Sequence, residues 1–224
     1  MISCISVENM RQSDAYTIAN LVPGLELMYR AAFGVFKAYT WPGSTAILVG
    51  SGNNGGDGFA LACIMKERGY DCTVFTVSQK LSSDSAYYAE KAKEAGVTIC
   101  SFEPDCLNGF TTVVDCLLGT GFSGTVRGSY RDAIEAINAS GAFIVSVDIN
   151  SGMNGDTGEA ELAVCSDLTV TIGYVKTGLV SENAGNYMKR LVCADIGIVL
   201  VREEGFITDE NCPPWLDMNI IDVK

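Results

Sequence analysis

The 224 residues, 48% hydrophobic and 19% charged, suffice for one domain with a substantial core, or at most two small ones. Fifteen basic against 27 acidic side chains give a net charge of −12, which argues against nucleic acid and anionic membrane surfaces as partners. No apolar run approaches the ~18 residues of a membrane span, and residues 1–14 lack the basic start and apolar stretch of a secretory leader, so a cytoplasmic protein is expected.

Residues 7–21 read as a helix capped by Ser6, with Val7, Met10, Ile18 and Leu21 at helical spacing. Asp14 falls on that same stripe, an odd place for a solvated carboxylate. Pro23 breaks the pattern, a second helix follows over 25–38, and Pro42-Gly43 closes the region. Thr45-Ala46-Ile47-Leu48-Val49 is a continuous apolar run, as in a strand buried on both faces. A Gly-rich turn leads from it into a helix over 56–68. Strands are then predicted at 72–77, 97–100, 112–118, 143–148, 168–172 and 191–196, with helices at 83–95 and 130–139. Such alternation predicts an α/β domain with a mostly parallel sheet covered by helices on both faces. One domain is expected: two N-terminal helices over 1–43, the α/β core over 44–201, and a C-terminal surface extension over 202–224.

The chain has no histidine, which removes Ser-His-Asp and Cys-His catalysis and the common imidazole metal sites. Proton transfer falls to carboxylates, lysine, tyrosine or thiols. The nine cysteines include no C-x-x-C pair, and most sit in apolar runs as small buried hydrophobes. A reduced, structural role is expected, without zinc.

Three polar loops follow predicted strands. Gly50-Ser51-Gly52-Asn53-Asn54-Gly55-Gly56-Asp57-Gly58 contains G-x-G-x-x-G and opens a helix, where backbone N–H groups meet an anion. A dinucleotide-dependent dehydrogenase wants an acidic residue ending the next strand, but that strand ends Phe75-Thr76-Val77-Ser78. No Gly-Lys-Ser/Thr follows, which excludes a P-loop. The second loop, Gly119-Thr120-Gly121-Phe122-Ser123-Gly124-Thr125, suits a phosphate or pyrophosphate. The third is Asp148-Ile149-Asn150-Ser151-Gly152. All three belong at the carboxyl edge of the sheet, where open α/β folds bind ligands. Asp115 lies within an apolar strand, where a bare charge is costly. Either a backbone donor or lysine satisfies it, or a cation does. With Asn54 and Ser151 it would form an all-oxygen cage suited to a monovalent ion.

These loops together resemble the NAD(P)H-hydrate epimerase family (the YjeF N-terminal domain) in its standalone form. The carriers are Asn53 to Gly58, Val114-Asp115-Cys116-Leu117-Leu118 running into Gly119 to Gly124, and Val147-Asp148-Ile149-Asn150-Ser151-Gly152. Leu27-Met28, Lys176 with Gly178, and Ala194-Asp195-Ile196-Gly197 agree. The resemblance implies a Rossmann-like three-layer αβα sandwich and an isomerase of nicotinamide nucleotide repair. Its reaction would interconvert the R and S forms of hydrated NADH and NADPH (NADHX and NADPHX). It implies substrate contacts from Asn53, Asn54, Gly55, Gly56, Asp57, Gly119, Thr120, Gly121, Phe122, Ser123, Gly124, Thr125 and Asp148. It further implies one potassium ion per subunit on Asn54, Asp115 and Ser151, a homodimer, and a separate dehydratase as functional partner. Asn150 stands where the family usually has proline, which predicts a less rigid loop. Tyr29 stands where an acidic residue often follows the Leu-Met pair.

In NADHX the hydroxyl-bearing carbon adjoins the ring nitrogen, so loss of water and its re-addition invert the centre without redox chemistry. Asp148 is the expected proton carrier and Asp57 the second choice, unless Asp57 caps its helix. Lys176 either stabilises a nearby carboxylate or phosphate or is simply solvated. The alternative is a non-catalytic nucleotide-binding or scaffold module of the same fold. The presence of Asp57, Asp115, Asp148 and Ser151 favours the enzyme.

Overall fold

The computed structural model describes residues 1–224. In chain order the elements are β1 (Ile2–Ile5), α1 (Val7–Asn20), α2 (Gly24–Ala38), β2 (Thr45–Val49), α3 (Asn53–Glu67), β3 (Cys72–Thr76), α4 (Ser83–Glu94) and β4 (Thr98–Ser101). There follow β5 (Thr112–Cys116), α5 (Ser129–Ala139), β6 (Phe143–Val147), β7 (Leu168–Ile172), β8 (Val175–Lys176), β9 (Leu191–Asp195), β10 (Gly205–Ile207) and β11 (Leu216–Asp222).

The main sheet has the order β11-β9-β7-β6-β5-β2-β3-β4, and every neighbouring pair is parallel. Alternation along each strand sorts the core. Ile47, Val49, Val114, Cys116, Val145 and Val147 pack beneath α2, α3 and α4. Ala46, Leu48, Val113 and Ile144 pack against Ala133, Ile134 and Ile137 of α5 on the opposite face. The result is the expected Rossmann-like αβα sandwich. From β2 the sheet grows one way through β3 and β4, and from β5 the other way through β6 and β7. The loops after β2 and β5 therefore diverge, and the crevice between them is where such sheets take ligands.

Strands β1 and β8 were not expected, and two further segments differ from expectation. Helix α3 starts at Asn53, with Gly52 at its N-cap, three residues before the predicted start. The run Asn53-Asn54-Gly55-Gly56 is helical despite poor propensity because its glycines remove side chains where α3 meets the sheet. A Cβ on Gly55 would lie 2.3 Å from the Gly50 carbonyl oxygen, and one on Gly58 would lie 2.7 Å from Val49 Cγ1. The second difference is the stretch after 202, expected as a surface extension. Strand β11 joins the main sheet beside β9, with a register shift between Leu216 and Ile220 that breaks its alternation. Strand β10 pairs antiparallel with β1, which pairs parallel with β8, and this small sheet packs on the β9–β11 end of the main one.

Candidate active site

A cleft of about 620 Å³ opens at the carboxyl edge of the sheet, over the crevice between β2 and β5. Its apolar walls include Leu27 and Met28 of α2 and Ile196 and Ile198 beyond β9. That volume is in the range of small-molecule and cofactor sites.

Asp148 follows β6 with φ of +68°, a left-handed conformation rare outside glycine. The Ile149 amide donates to the Val147 carbonyl at 2.9 Å, so Asp148 is the centre of a strained γ-turn, while its own amide donates to Val170 at 2.8 Å. Strain of this kind concentrates at functional sites. It aims the carboxylate at Lys176, whose ammonium meets Asp148 Oδ1 at 2.5 Å. Lys176 is only 1% exposed, which rules out the solvated alternative. Its other two N–H groups go to Thr171 Oγ1 at 3.1 Å and the Ile172 carbonyl at 2.7 Å. All three donors are spent.

Two further carboxyls face this pair, Asp57 from α3 and Asp14 from α1. Burial, with the charges of Asp148 and Asp14, pushes the Asp57 carboxyl well above the usual carboxylate range, against the opposing pull of Lys176. Burial and Asp148 raise Asp14 as well, again against Lys176. Asp57 is the fifth residue of α3 and makes no cap, so the capping role does not hold. The α3 N-terminus has no side-chain cap, which leaves first-turn amides for an anion. Asn53 Oδ1 accepts from Ser82 Oγ at 2.7 Å, which fixes the rim.

Beneath the cleft, Asp115 is fully buried without a cationic partner. Its Oδ1 accepts from Ser151 Oγ at 2.5 Å and the Leu117 amide at 3.2 Å, its Oδ2 from the Ser151 amide and Ser146 Oγ, each at 2.9 Å. Burial raises this carboxyl, and those bonds pull the other way. Ser151 Oγ also accepts from the Leu118 amide at 2.8 Å, which ties the turn after β5 to the loop after β6. Asn54 Nδ2 donates to the Val147 carbonyl at 3.2 Å, while its buried Oδ1 has no partner. Backbone and hydroxyl donors thus satisfy Asp115, the first of the two alternatives expected from sequence, while the orphaned Asn54 Oδ1 beside this unpaired negative charge fits a monovalent cation at this level.

The cleft lining includes Asn53, Asn54, Asp57, Gly119, Thr120, Gly121, Phe122, Ser123 and Asp148. A Cβ on Gly119 would lie 3.2 Å from Asp148 Oδ2 and 3.3 Å from Asn54 Cβ, so the three loops converge at one point. Gly55 and Gly56 are buried in the first turn of α3 against Gly50 and Met28 and serve packing, and Gly124 and Thr125 fall outside the lining. Asn150 is tied down by side-chain bonds. The two N–H groups of its Nδ2 are shared among Val164 O at 2.9 Å, Ser166 Oγ at 3.0 Å and Tyr187 O at 2.8 Å, and its Oδ1 accepts from Thr169 Oγ1 at 2.6 Å. The looser loop expected there is replaced by a satisfied network. Sequence reasoning missed Arg11, Asp84 and the α2 wall; for α1, Asp14 on an apolar stripe was the available signal.

The family described as "YjeF-related protein N-terminus" matches residues 24–178. The chain is 36% identical over 199 residues to a protein of Limosilactobacillus fermentum named NAD(P)H-hydrate epimerase, covering 85% of this chain and 95% of that one. It is 34% identical over 213 residues to a bifunctional NAD(P)H-hydrate repair enzyme of Coxiella burnetii, covering 92% of this chain and 44% of that one. The crystal structure of yeast ynu0 shares the fold, with a TM-score of 0.75 at 19% identity over 94% of this chain and 98% of that one.

Proposed function

Because the chain belongs to the YjeF-related N-terminal family, we propose that it is an NAD(P)H-hydrate epimerase, an isomerase that interconverts the R and S forms of hydrated NADH and NADPH. The observation that carries this reading is the carboxyl cluster at the crevice. Asp148 is ion-paired through Oδ1, with Asp57 facing it in an environment that favours the protonated acid.

The chemistry needs a proton delivered to one oxygen and another removed. Asp57 donates to the departing hydroxyl. The carbon–oxygen bond breaks with its electron pair on oxygen, water leaves, and the ring-nitrogen lone pair forms a carbon–nitrogen double bond. Water then adds to either face and surrenders a proton to Asp148, and the two carboxyls exchange roles for the reverse reaction. Asp148, the proton carrier expected from sequence, thus acts with Asp57. The same reading places one potassium ion per subunit on Asn54, Asp115 and Ser151, where, when bound, it offsets the Asp115 charge. It includes a cytoplasmic homodimer. No helix is long and apolar enough to cross a membrane. A separate dehydratase is the functional partner in this reading; two relatives are named bifunctional NAD(P)H-hydrate repair enzymes, which places a second repair activity beside a domain of this kind.

A single purified NADHX epimer tests this reading. Asp148→Asn keeps size and most hydrogen bonds but cannot cycle a proton. After subtraction of spontaneous epimerisation, its rate should fall about 10²–10⁴-fold while ADP-ribose affinity changes little. An unchanged rate with lost affinity would make Asp148 a ligand contact only.

A further inference from the structure

Four carboxylates, Asp14, Asp57, Asp84 and Asp148, line the cleft against two cations, Arg11 and Lys176. The substrate class brings a diphosphate with two negative charges to a chain whose net charge is −12. The three donors of Lys176 are consumed by Asp148, Thr171 and Ile172. Arg11 is different. It is exposed at the rim and forms no salt bridge; its one side-chain hydrogen bond runs from Nη2 to the Thr120 carbonyl at 2.8 Å. A guanidinium has five N–H groups in a planar fork matched to phosphate oxygens. Arg11 therefore reaches from α1 to the Gly119–Ser123 loop with four donors uncommitted, on the same cleft as the uncapped start of α3.

We propose that Arg11 binds the diphosphate of the substrate, holding the loop through Thr120 while it presents its remaining N–H groups to phosphate oxygens. The identity of the anion rests on the epimerase reading, whereas the anion site itself rests on the geometry.

Inorganic pyrophosphate, ADP-ribose and NADHX separate these claims. Arg11→Ala removes an exposed side chain, so its melting temperature should match the parent. Its ADP-ribose and pyrophosphate affinities should fall, and its KM for NADHX rise, by about tenfold to a hundredfold, with kcat within about twofold. Arg11→Lys, which keeps the charge and loses the fork, should fall between. Parent affinity for pyrophosphate that Arg11→Ala leaves unchanged overturns the proposal, as does a loss confined to kcat. Arg11-dependent pyrophosphate binding without epimerisation would uphold the site and overturn the epimerase reading.

Discussion

Asp57 and Asp148 carry the same functional group in opposed settings, one without a hydrogen-bonding partner and the other tied to a buried ammonium. The raised carboxyl of Asp57 has a thermodynamic signature. A group with a higher pKa folded than unfolded binds more protons in the folded state, so stability falls as pH climbs from the ordinary carboxylate range through the raised value. Asp57→Asn removes that slope. The melting temperature of the variant relative to the parent should therefore rise as pH climbs above about 4, the ordinary aspartate value. A parallel pair of curves would mean that Asp57 ionises normally. Asp115 makes a second prediction. Thermal stabilisation by KCl over matched choline chloride should be present in the parent, about 2.7 kcal/mol at a hundredfold excess over Kd. It should be absent in Asp115→Ala; equal stabilisation in both refutes the cation site. Asp115 and Asp148 were legible in sequence because a carboxylate in, or just after, a buried apolar strand is anomalous. Arg11 was not, because one arginine on a helix reads as a solvated face.

Helix α3 shows how an element's start is set by what it touches. Gly55 abuts backbone, with the Gly50 carbonyl oxygen 2.3 Å from where a Cβ would lie, whereas Gly56 abuts chiefly the flexible end of Met28 at 2.6 Å and, less tightly, Ser85 Cα at 3.2 Å. Gly55→Ala must shift the α3–β2 turn and should cost about 1–3 kcal/mol, the usual range for overpacking. Gly56→Ala, which needs Met28 to change rotamer and α4 to give by only a few tenths of an ångström at Ser85, should cost less; chemical denaturation of both variants reads the difference. The loop after β6 is held by chemistry of another kind. Asn150→Ala would leave the buried Val164 carbonyl without its donor, at about 1–3 kcal/mol, while the Tyr187 carbonyl keeps the Ser166 amide, and should lower the melting temperature by several degrees. The core strands could be read to within a residue or two because unbroken apolar runs such as Thr45–Val49 admit few alternatives. Strands β1, β8, β10 and β11 could not, since each is short or bulged and gains its pairing from a distant segment.

Across the whole molecule, a parallel sheet that grows both ways from β2 and β5 leaves one crevice, and three loops far apart in sequence supply its polar groups. The loops carried the family resemblance, so the site was legible through its glycines and carboxylates. The walls from α1 and α2 were not, because amphipathic helices give no sign of where they dock. The central claim is that this cleft equilibrates the two epimers of a hydrated nicotinamide dinucleotide. It is tested most directly by adding the protein to a mixture of NADHX epimers together with a dehydratase that consumes one of them. Rapid consumption of the entire pool, well above the spontaneous rate, is the predicted result. A stall near half, unchanged when the protein is added, would contradict it.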